Sequence, residues 1–188
     1  MDRAEEQYNV ELLRRVADGD QVAFAALYDR LSPVLYSMAL RMMNDAGEAD
    51  DVLQDGFIYI WQRASTFDPK RSSVLAWAVM IVRNKAIDRL RVRQRGERLQ
   101  ERVTKFEDTS LVQDDRSALE PLLRERRAQL RLALKEISGE QRQALELAFF
   151  SGLTQEEIAT HLKAPIGTIK ARIRRGLLRL RQIFERGI

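Results

Sequence analysis

The chain has 188 residues, of which 45% are hydrophobic and 32% are charged, so it can form one or two small domains with real cores. It contains no run of 18 apolar residues, and its charged first residues lack an apolar signal core, so neither a membrane span nor export is expected. Because it contains no cysteine, disulfides and thiolate zinc sites are excluded. We therefore expect a cytoplasmic protein.

Charge is unevenly distributed along the chain, whose net charge is +4. Residues 1–96 carry 14 basic and 14 acidic side chains, residues 97–120 carry 4 and 7, and residues 121–188 carry 14 and 7. The first segment is itself asymmetric, since residues 45–68 hold six acids and one base while residues 83–95 hold six bases and one acid. The acidic stretch should attract a basic protein surface, and the basic stretches should attract a polyanion.

The N-terminal unit is predicted to be helical. In residues 20–43 we expect one helix before Pro33 and another after it, because proline removes a helical hydrogen bond. In residues 48–64 apolar side chains recur at three-to-four spacing, which predicts a helix with one buried face, slightly weakened by Gly56. The opposite face is acidic and partly apolar, and it consists of Asp51, Gln54, Asp55, Ile58 and Gln62.

Residues 65–73 show no periodicity and contain proline, aspartate and serine, so they are predicted to form a loop. Residues 74–95 are apolar at their start and basic at their end, which indicates a helix that carries cations beyond its core contacts. Its predicted buried stripe consists of Leu75, Val79, Val82, Ala86 and Leu90.

Residues 97–120 lose the apolar pattern and gain acids, so they are interpreted as a flexible linker. No stretch of the chain alternates convincingly as a strand does. The predicted fold class is therefore all-α, with one small helical domain at residues 1–96 and a second at residues 121–188.

Helix starts in the C-terminal domain are marked by three local signals. Pro121 suits the first position of a helix that ends before residue 138. Capping-box patterns then begin two further helices, Ser138 with Gln141 and Thr154 with Glu157.

Residues 154–182 have the pattern of a helix-turn-helix motif. A turn at residues 163–165 precedes a second helix that begins near Gly167, and Ile169 and Ile173 are expected to face the core. The basic residues of this helix are Lys170, Arg172, Arg174, Arg175, Arg179 and Arg181. A solvated basic face is the alternative, but it does not explain the capping, the tight turn and the apolar spacing together. DNA binding is therefore predicted, although this motif alone would also fit a repressor.

Three stretches of the chain, in this order, resemble conserved parts of bacterial sigma factors. Residues 48–61 resemble the helix that binds the clamp coiled coil of the RNA polymerase β′ subunit. Residues 74–95 resemble the helix that opens and recognises the minus-ten promoter element, and residues 153–181 resemble the helix-turn-helix that recognises the minus-thirty-five element. The resemblance covers about residues 10–96 and 120–188 and indicates the small two-domain group, the extracytoplasmic-function (ECF) sigma factors.

The resemblance implies three sets of site residues. The polymerase-binding residues would be Asp51, Gln54, Asp55, Ile58 and Gln62. The residues that contact the minus-ten element, with a base flipped into the loop at residues 65–73, would be Phe67, Asn84, Lys85, Asp88, Arg89 and Arg91. The residues that contact the minus-thirty-five element would be Thr168, Lys170, Ala171, Arg172, Arg174 and Arg175.

Simpler explanations stay open for several of these features. The acidic helix face could be an ordinary solvated surface, and Asn84 and Asp88 could hydrogen-bond along the helix surface. Trp77 is either part of the core or a wedge at the duplex fork. The acidic linker is either a soluble tether or a mimic of nucleic-acid charge in the RNA exit path of the polymerase.

The partners that the resemblance implies are the RNA polymerase core, bound at its β′ clamp and β flap, promoter DNA, and an anti-sigma factor, which is often membrane-anchored. No cofactor or small-molecule substrate is expected. His161 is the only histidine, and the sequence has no metal-ligand cluster, nucleophile motif or phosphate-binding glycine loop, so no enzymatic activity is predicted. The rival hypotheses are a stand-alone regulator of duplex DNA and an adaptor whose basic helices bind acidic proteins or RNA.

Overall fold

The structure is a computed structural model that describes residues 3–93 and 133–185. The chain divides into two compact units, Met1–Arg95 and Gly96–Ile188. Within the described ranges the secondary structure is helical and no strand occurs, which confirms the all-α prediction. The predicted linker and most of the helix predicted to begin at Pro121 lie outside these ranges.

The helices of the first unit are, in chain order, α1 (Arg3–Ala17), α2 (Gln21–Met43), α3 (Ala46–Arg63), a short 3-10 helix (Ala64–Thr66) and α4 (Val74–Arg93). The helices of the second unit's described part are α5 (Gly139–Phe149), α6 (Gln155–His161) and α7 (Ile166–Glu185). None of these helices is both long enough and apolar enough to cross a membrane.

Helix α2 continues through Pro33, so the prediction of two helices in this segment is wrong. A proline inside a helix removes a hydrogen bond and costs about 3 kcal/mol. Leu31 and Leu35, on either side of this proline, are almost completely buried. Because burial of one leucine side chain contributes about 1.5–3 kcal/mol, a continuous apolar stripe along α2 outweighs the local defect.

A glycine allows α3 and α4 to approach each other closely. Gly56 is buried, and a Cβ atom at this position would lie 2.6 Å from Cγ2 of Val82 on α4. Valine is β-branched and has few rotamers in a helix, so its methyl group has little freedom to move away. Gly56 therefore has a packing role that the sequence did not indicate.

Helix α4 buries a broader face than the sequence predicted. Val82, Ala86 and Leu90 are buried as expected, but Leu75 and Val79 are only half-buried. The further buried residues are Val74, Ala78, Ile81 and Ile87. The cause is that α4 packs against both α2 and α3, and the periodicity of one helix does not reveal how many neighbours it has.

The helix starts in the second unit follow the local signals in the sequence. Both predicted capping boxes are present, Ser138 with Gln141 before α5 and Thr154 with Glu157 before α6. The turn between α6 and α7 contains Lys163, whose φ of 48° lies in the left-handed region. A left-handed residue at this position ends α6 and allows α7 to begin within a few residues.

Among the described residues of the second unit, Leu147, Leu153, Ile158 and Ile169 form a buried apolar cluster. Ile173 and the small residue Ala159 are partly buried and pack against this cluster. The predicted inward direction of Ile169 and Ile173 is confirmed. The exposed residues of α7 include Lys170, Arg174 and Arg175 but also the apolar Leu177 and Leu178.

Replacing Gly56 with alanine should destabilise the first unit. We expect Gly56→Ala to lower the free energy of unfolding by about 1–2 kcal/mol, because overpacking against Val82 outweighs the gain of about 1 kcal/mol in helix propensity. Denaturant unfolding followed by tryptophan fluorescence measures this, since both tryptophans, Trp61 and Trp77, lie in the first unit. The control is Gly47→Ala on the same helix, where the new Cβ would have its nearest contact at 3.4 Å. Equal stability of the two variants would contradict the close contact.

Candidate protein and nucleic-acid interfaces

The residues predicted to bind polymerase lie together on one exposed side of α3. They are Asp51, Gln54, Asp55, Ile58 and Gln62, and we call this surface the α3 acidic face. Their spacing of three or four residues makes them neighbours on the helix surface. Ile58 is 48% exposed, so the face combines carboxylates with a small apolar contact area.

An aromatic cluster between α2 and α3 lies beside the α3 acidic face. The rings of Phe24 and Trp61 are 5.1 Å apart and those of Tyr28 and Phe57 are 4.5 Å apart. Trp61 follows Ile58 by three residues, so the two side chains are neighbours along α3. Tyr28 is exposed and was missed by sequence analysis, because α2 and α3 meet only in the folded chain.

An aromatic pair connects the loop at residues 65–73 to the first turn of α4. Phe67 and Trp77 are both half-buried, and their ring centres are 5.5 Å apart. At the tip of the loop, the Asp68 carboxylate accepts a hydrogen bond of 2.9 Å from the backbone amide of Lys70, which stabilises a turn. Because Phe67 and Trp77 are only half-buried, part of their aromatic surface is exposed to solvent.

The solvent-facing side of α4 is polar with one apolar end. Asn84 and Asp88 are exposed one turn apart, and the Arg83 guanidinium donates to the side-chain Oδ1 of Asn84 at 3.4 Å. Met80, one turn before Asn84, is 47% exposed. Met80 was not predicted as a surface residue, because it stands in an apolar run and nothing in the sequence marks it as exposed.

Two arginines of α4 connect it to α3. Arg89 donates to Asp51 at 2.6 Å, and Arg93 donates to Glu48 at 2.5 Å. The first pair joins a predicted DNA-binding residue to a predicted polymerase-binding residue. Asp51 and Arg89 therefore partly neutralise each other, which the sequence did not indicate.

The other cations of α4 differ in their surroundings. The Lys85 ammonium lies 5.1 Å from the centre of the Tyr59 ring, a cation–π geometry. Arg91 is exposed. Burial, with a smaller contribution from the charge of Arg91, lowers the pKa of Arg83, which nevertheless remains protonated at neutral pH.

The predicted DNA-binding residues of α7 lie around the start of that helix. Thr168, Lys170, Arg174 and Arg175 are exposed, whereas Ala171 and Arg172 are half-buried. Thr168, Ala171, Arg172 and Arg175 line a shallow groove of about 360 Å³ together with the start of α5.

One contact in this groove was not foreseen. The Arg172 guanidinium forms an ion pair of 2.7 Å with Glu140, in the first turn of α5. Glu140 carries no recognisable signal in the sequence, because the contact joins two separate helices. The pair restricts the directions in which Arg172 can donate its remaining hydrogen bonds.

Metal chemistry finds no support in the described ranges. Residues 3–93 and 133–185 contain no group of three or more His, Asp or Glu side chains placed to hold a metal ion. His161 is half-buried at the end of α6.

Family models match both units of the chain. A model of Sigma-70 region 2 matches residues 27–96, and a model of Sigma-70 region 4 matches residues 133–182. The first match includes α3, the loop and α4, and the second includes the helix-turn-helix. The class of protein is therefore a sigma-70 type transcription factor.

Similar proteins define the family more narrowly. The chain is 34% identical to the ECF RNA polymerase sigma factor SigK of Mycobacterium tuberculosis H37Rv over an alignment of 176 residues. This alignment covers 93% of this chain and 92% of the relative. It is also 34% identical over 166 residues to SigK of Mycobacterium sp. strain KMS, covering 88% and 85%. The chain belongs to the family of ECF RNA polymerase sigma factors.

Two solved structures resemble the chain over most of its length. One is Rhodobacter sphaeroides SigE in complex with the anti-sigma ChrR, with 30% identity, a TM-score of 0.46, and coverage of 94% of this chain and 98% of that chain. The other is CnrH in complex with the cytosolic domain of CnrY, with 22% identity, a TM-score of 0.43, and coverage of 96% and 99%. The family assignment itself rests on the sequence matches.

The Asp51–Arg89 ion pair should contribute little to stability. In a double-mutant cycle with Asp51→Ala and Arg89→Ala, we expect a coupling of about 0.2–1 kcal/mol at low salt, because the side chains of Arg89 and Asp51 are 37% and 56% exposed to solvent. The coupling should nearly vanish at about 1 M salt, where screening is strong. Tryptophan fluorescence during denaturant unfolding again provides the measurement. A coupling that persists unchanged at high salt would contradict a solvated pair.

Proposed function

We propose that this protein binds core RNA polymerase through α3 and directs promoter-specific initiation with α4 and α7. In this assignment α4 and its preceding loop open and recognise the minus-ten element, and α7 recognises the minus-thirty-five element. The observation that carries the proposal is the placement of an exposed acidic face and a basic helix side by side in one unit, with a helix-turn-helix in the other. A protein that only binds duplex DNA has no use for the acidic face.

The α3 acidic face suits a basic partner surface such as the β′ clamp. Carboxylates at Asp51 and Asp55 speed the encounter with a positively charged element. Ile58, which is exposed one turn after Asp55, supplies apolar area that a partner protein would bury. The second unit would then bind at the β flap, which places it near the upstream promoter.

The loop and α4 have the chemistry needed to hold a flipped base. Unstacking a base costs a few kcal/mol, which stacking and hydrogen bonds must offset. The pair of Phe67 and Trp77 offers a stacking surface, and base–aromatic stacking contributes about 1–3 kcal/mol. Asn84 offers a donor and an acceptor and Asp88 an acceptor to the base edge. Lys85, Arg89 and Arg91 would hold phosphates on either side.

The start of α7 suits the major groove. Thr168, Lys170 and Ala171 lie in its first turns, where side chains reach base edges and the thymine methyl group. Arg174 and Arg175 are exposed and suit guanine acceptors or phosphates. Arg172 is held by Glu140, so it would approach the DNA in one fixed orientation.

The finer parts of this proposal concern regulation and location. We expect an anti-sigma factor, membrane-anchored or soluble, that masks these surfaces until it is removed. We also expect the protein to act in the cytoplasm, where polymerase is, without a cofactor, a small-molecule substrate or an enzymatic activity of its own.

Run-off transcription separates this proposal from its rivals. Core polymerase with this protein should start transcripts at specific sites selected from a genomic fragment library, whereas core alone should not. The rival regulator predicts a footprint on duplex DNA by the protein alone and no transcript. The rival adaptor predicts neither a transcript nor a footprint.

Ile58→Ala should weaken binding to core polymerase about tenfold, which corresponds to about 1.4 kcal/mol of buried contact. Fluorescence anisotropy of labelled protein titrated with core measures the affinity. Val22→Ala is the matched control, because Val22 is a branched apolar residue on α2 that is 74% exposed. If both variants bind core as tightly as the wild type does, Ile58 is not part of the interface.

Arg175→Ala should weaken holoenzyme binding to minus-thirty-five DNA and reduce the salt dependence of that binding. If Arg175 contacts one phosphate, the slope of log K against log salt should become less steep by about one. The control is Arg14→Ala on α1, which removes the same charge from an exposed surface ion pair in the first unit. An unchanged affinity at moderate salt would remove Arg175 from the interface.

A further inference from the structure

Helix α1 contacts both ends of the loop at residues 65–73. It packs against the 3-10 helix Ala64–Thr66, where the loop begins, and against α4, where the loop ends. The match to Sigma-70 region 2 starts at residue 27, so α1 lies outside the matched region. The helix therefore contacts the loop from outside the region that the family model matches.

The contact at the end of the loop is made by one carboxylate. The backbone N–H of Val74, the first residue of α4, donates a hydrogen bond of 2.7 Å to Oε1 of Glu6. The residues are 68 positions apart in the chain. Within the described structure, the other carboxylate oxygen of Glu6 is buried and has no hydrogen-bond partner.

This hydrogen bond satisfies a donor that α4 itself cannot satisfy. The first amides of a helix have no partner within it, and an acceptor with negative charge is favoured at this end. The side-chain oxygen of Ser73 accepts a hydrogen bond of 3.2 Å from the backbone amide of Ala76. The backbone amide of Val74 is instead satisfied by Glu6. Because Val74 is buried, loss of its partner would leave an unsatisfied buried amide and loosen the first turn of α4.

The carboxylate of Glu6 is held on a well-anchored helix. Asn9 is 3% exposed and accepts a hydrogen bond of 2.8 Å from Arg30 of α2. The Arg30 guanidinium also lies 5.1 Å from the centre of the Tyr8 ring. Further along α1, Leu12 and Leu13 are buried. Because these contacts hold α1 against α2, the helix that carries Glu6 is fixed in position.

We propose that Glu6 is a positioning residue for minus-ten recognition. By capping Val74 it fixes the first turn of α4, which carries Trp77, and Trp77 in turn holds Phe67 of the loop. Because α1 also packs on the start of the loop, the two ends are held at a set separation. The proposal rests on the function proposed above for this loop, and it adds α1 to the parts of the protein that determine base recognition.

Hydrogen exchange of the full-length protein tests the capping contact without polymerase. In Glu6→Ala the amides of residues 67–77 should exchange at least tenfold faster than in the wild type, whereas amides of α7 should be unchanged. Glu6→Gln retains an acceptor oxygen and should restore most of the protection. Glu11→Ala, which removes a carboxylate from an exposed ion pair on the same helix, should have no effect on the loop. Equal exchange in Glu6→Ala and Glu11→Ala would overturn the proposal.

A second measurement tests the effect on recognition. The probe is a fluorescent single-stranded oligonucleotide that carries the non-template minus-ten sequence selected by wild-type holoenzyme from a random pool. Glu6→Ala should bind core as the wild type does, but its holoenzyme should lose about tenfold in affinity for the probe. It should also lose discrimination against probes with a substituted flipped base, and Glu6→Gln should recover both.

The outcomes distinguish the positioning role from general destabilisation. A variant that is merely less stable would lose core binding and probe binding together, with base discrimination unchanged, and this would overturn the proposal. The proposal would also be overturned if the Glu6→Ala holoenzyme discriminated against probes with a substituted flipped base as well as the wild-type holoenzyme does. If wild-type protein fails to bind core at all while hydrogen exchange responds as expected, the proposed function has failed but the capping contact has not.

Discussion

The close approach of α3 and α4 at Gly56 is the constraint on which the first unit depends. Any Cβ at this position would meet Val82 at 2.6 Å, so every other residue would force the helices apart or the valine to move. This short separation allows Arg89 to reach Asp51. The acidic surface and the basic surface, which belong to different proposed partners, are therefore held next to each other by one missing side chain.

The proximity of these surfaces has a consequence for the free protein. The ion pairs between α3 and α4 partly neutralise both surfaces, so the unit presents less charge than its sequence suggests. Surface pairs of this kind contribute only about 0–1 kcal/mol to stability. A unit that is nearly neutral by itself has little attraction for random DNA.

Much of the fold followed from local patterns, and the errors have a common cause. The capping residues Ser138 and Thr154 predicted two helix starts because a cap depends on residues only three positions away. The helix break predicted at Pro33 was wrong for the same reason, since the local cost of a proline follows from the sequence while the burial of the residues around it does not. On α4, Met80 is exposed although its neighbours in sequence are apolar. Which side of a helix is covered depends on helices elsewhere in the chain.

The sequence by itself determined the helical class, the helix-turn-helix, the separation of charge and the resemblance to a family. These features depend on residues within a few positions of one another or on composition along a segment. Only the tertiary structure decided that Arg89 meets Asp51 and that Glu6 caps Val74, contacts that span 38 and 68 residues. A hydrogen bond between distant residues requires the packing of whole helices to bring its atoms within 3 Å, and that packing is a property of the complete core rather than of any segment.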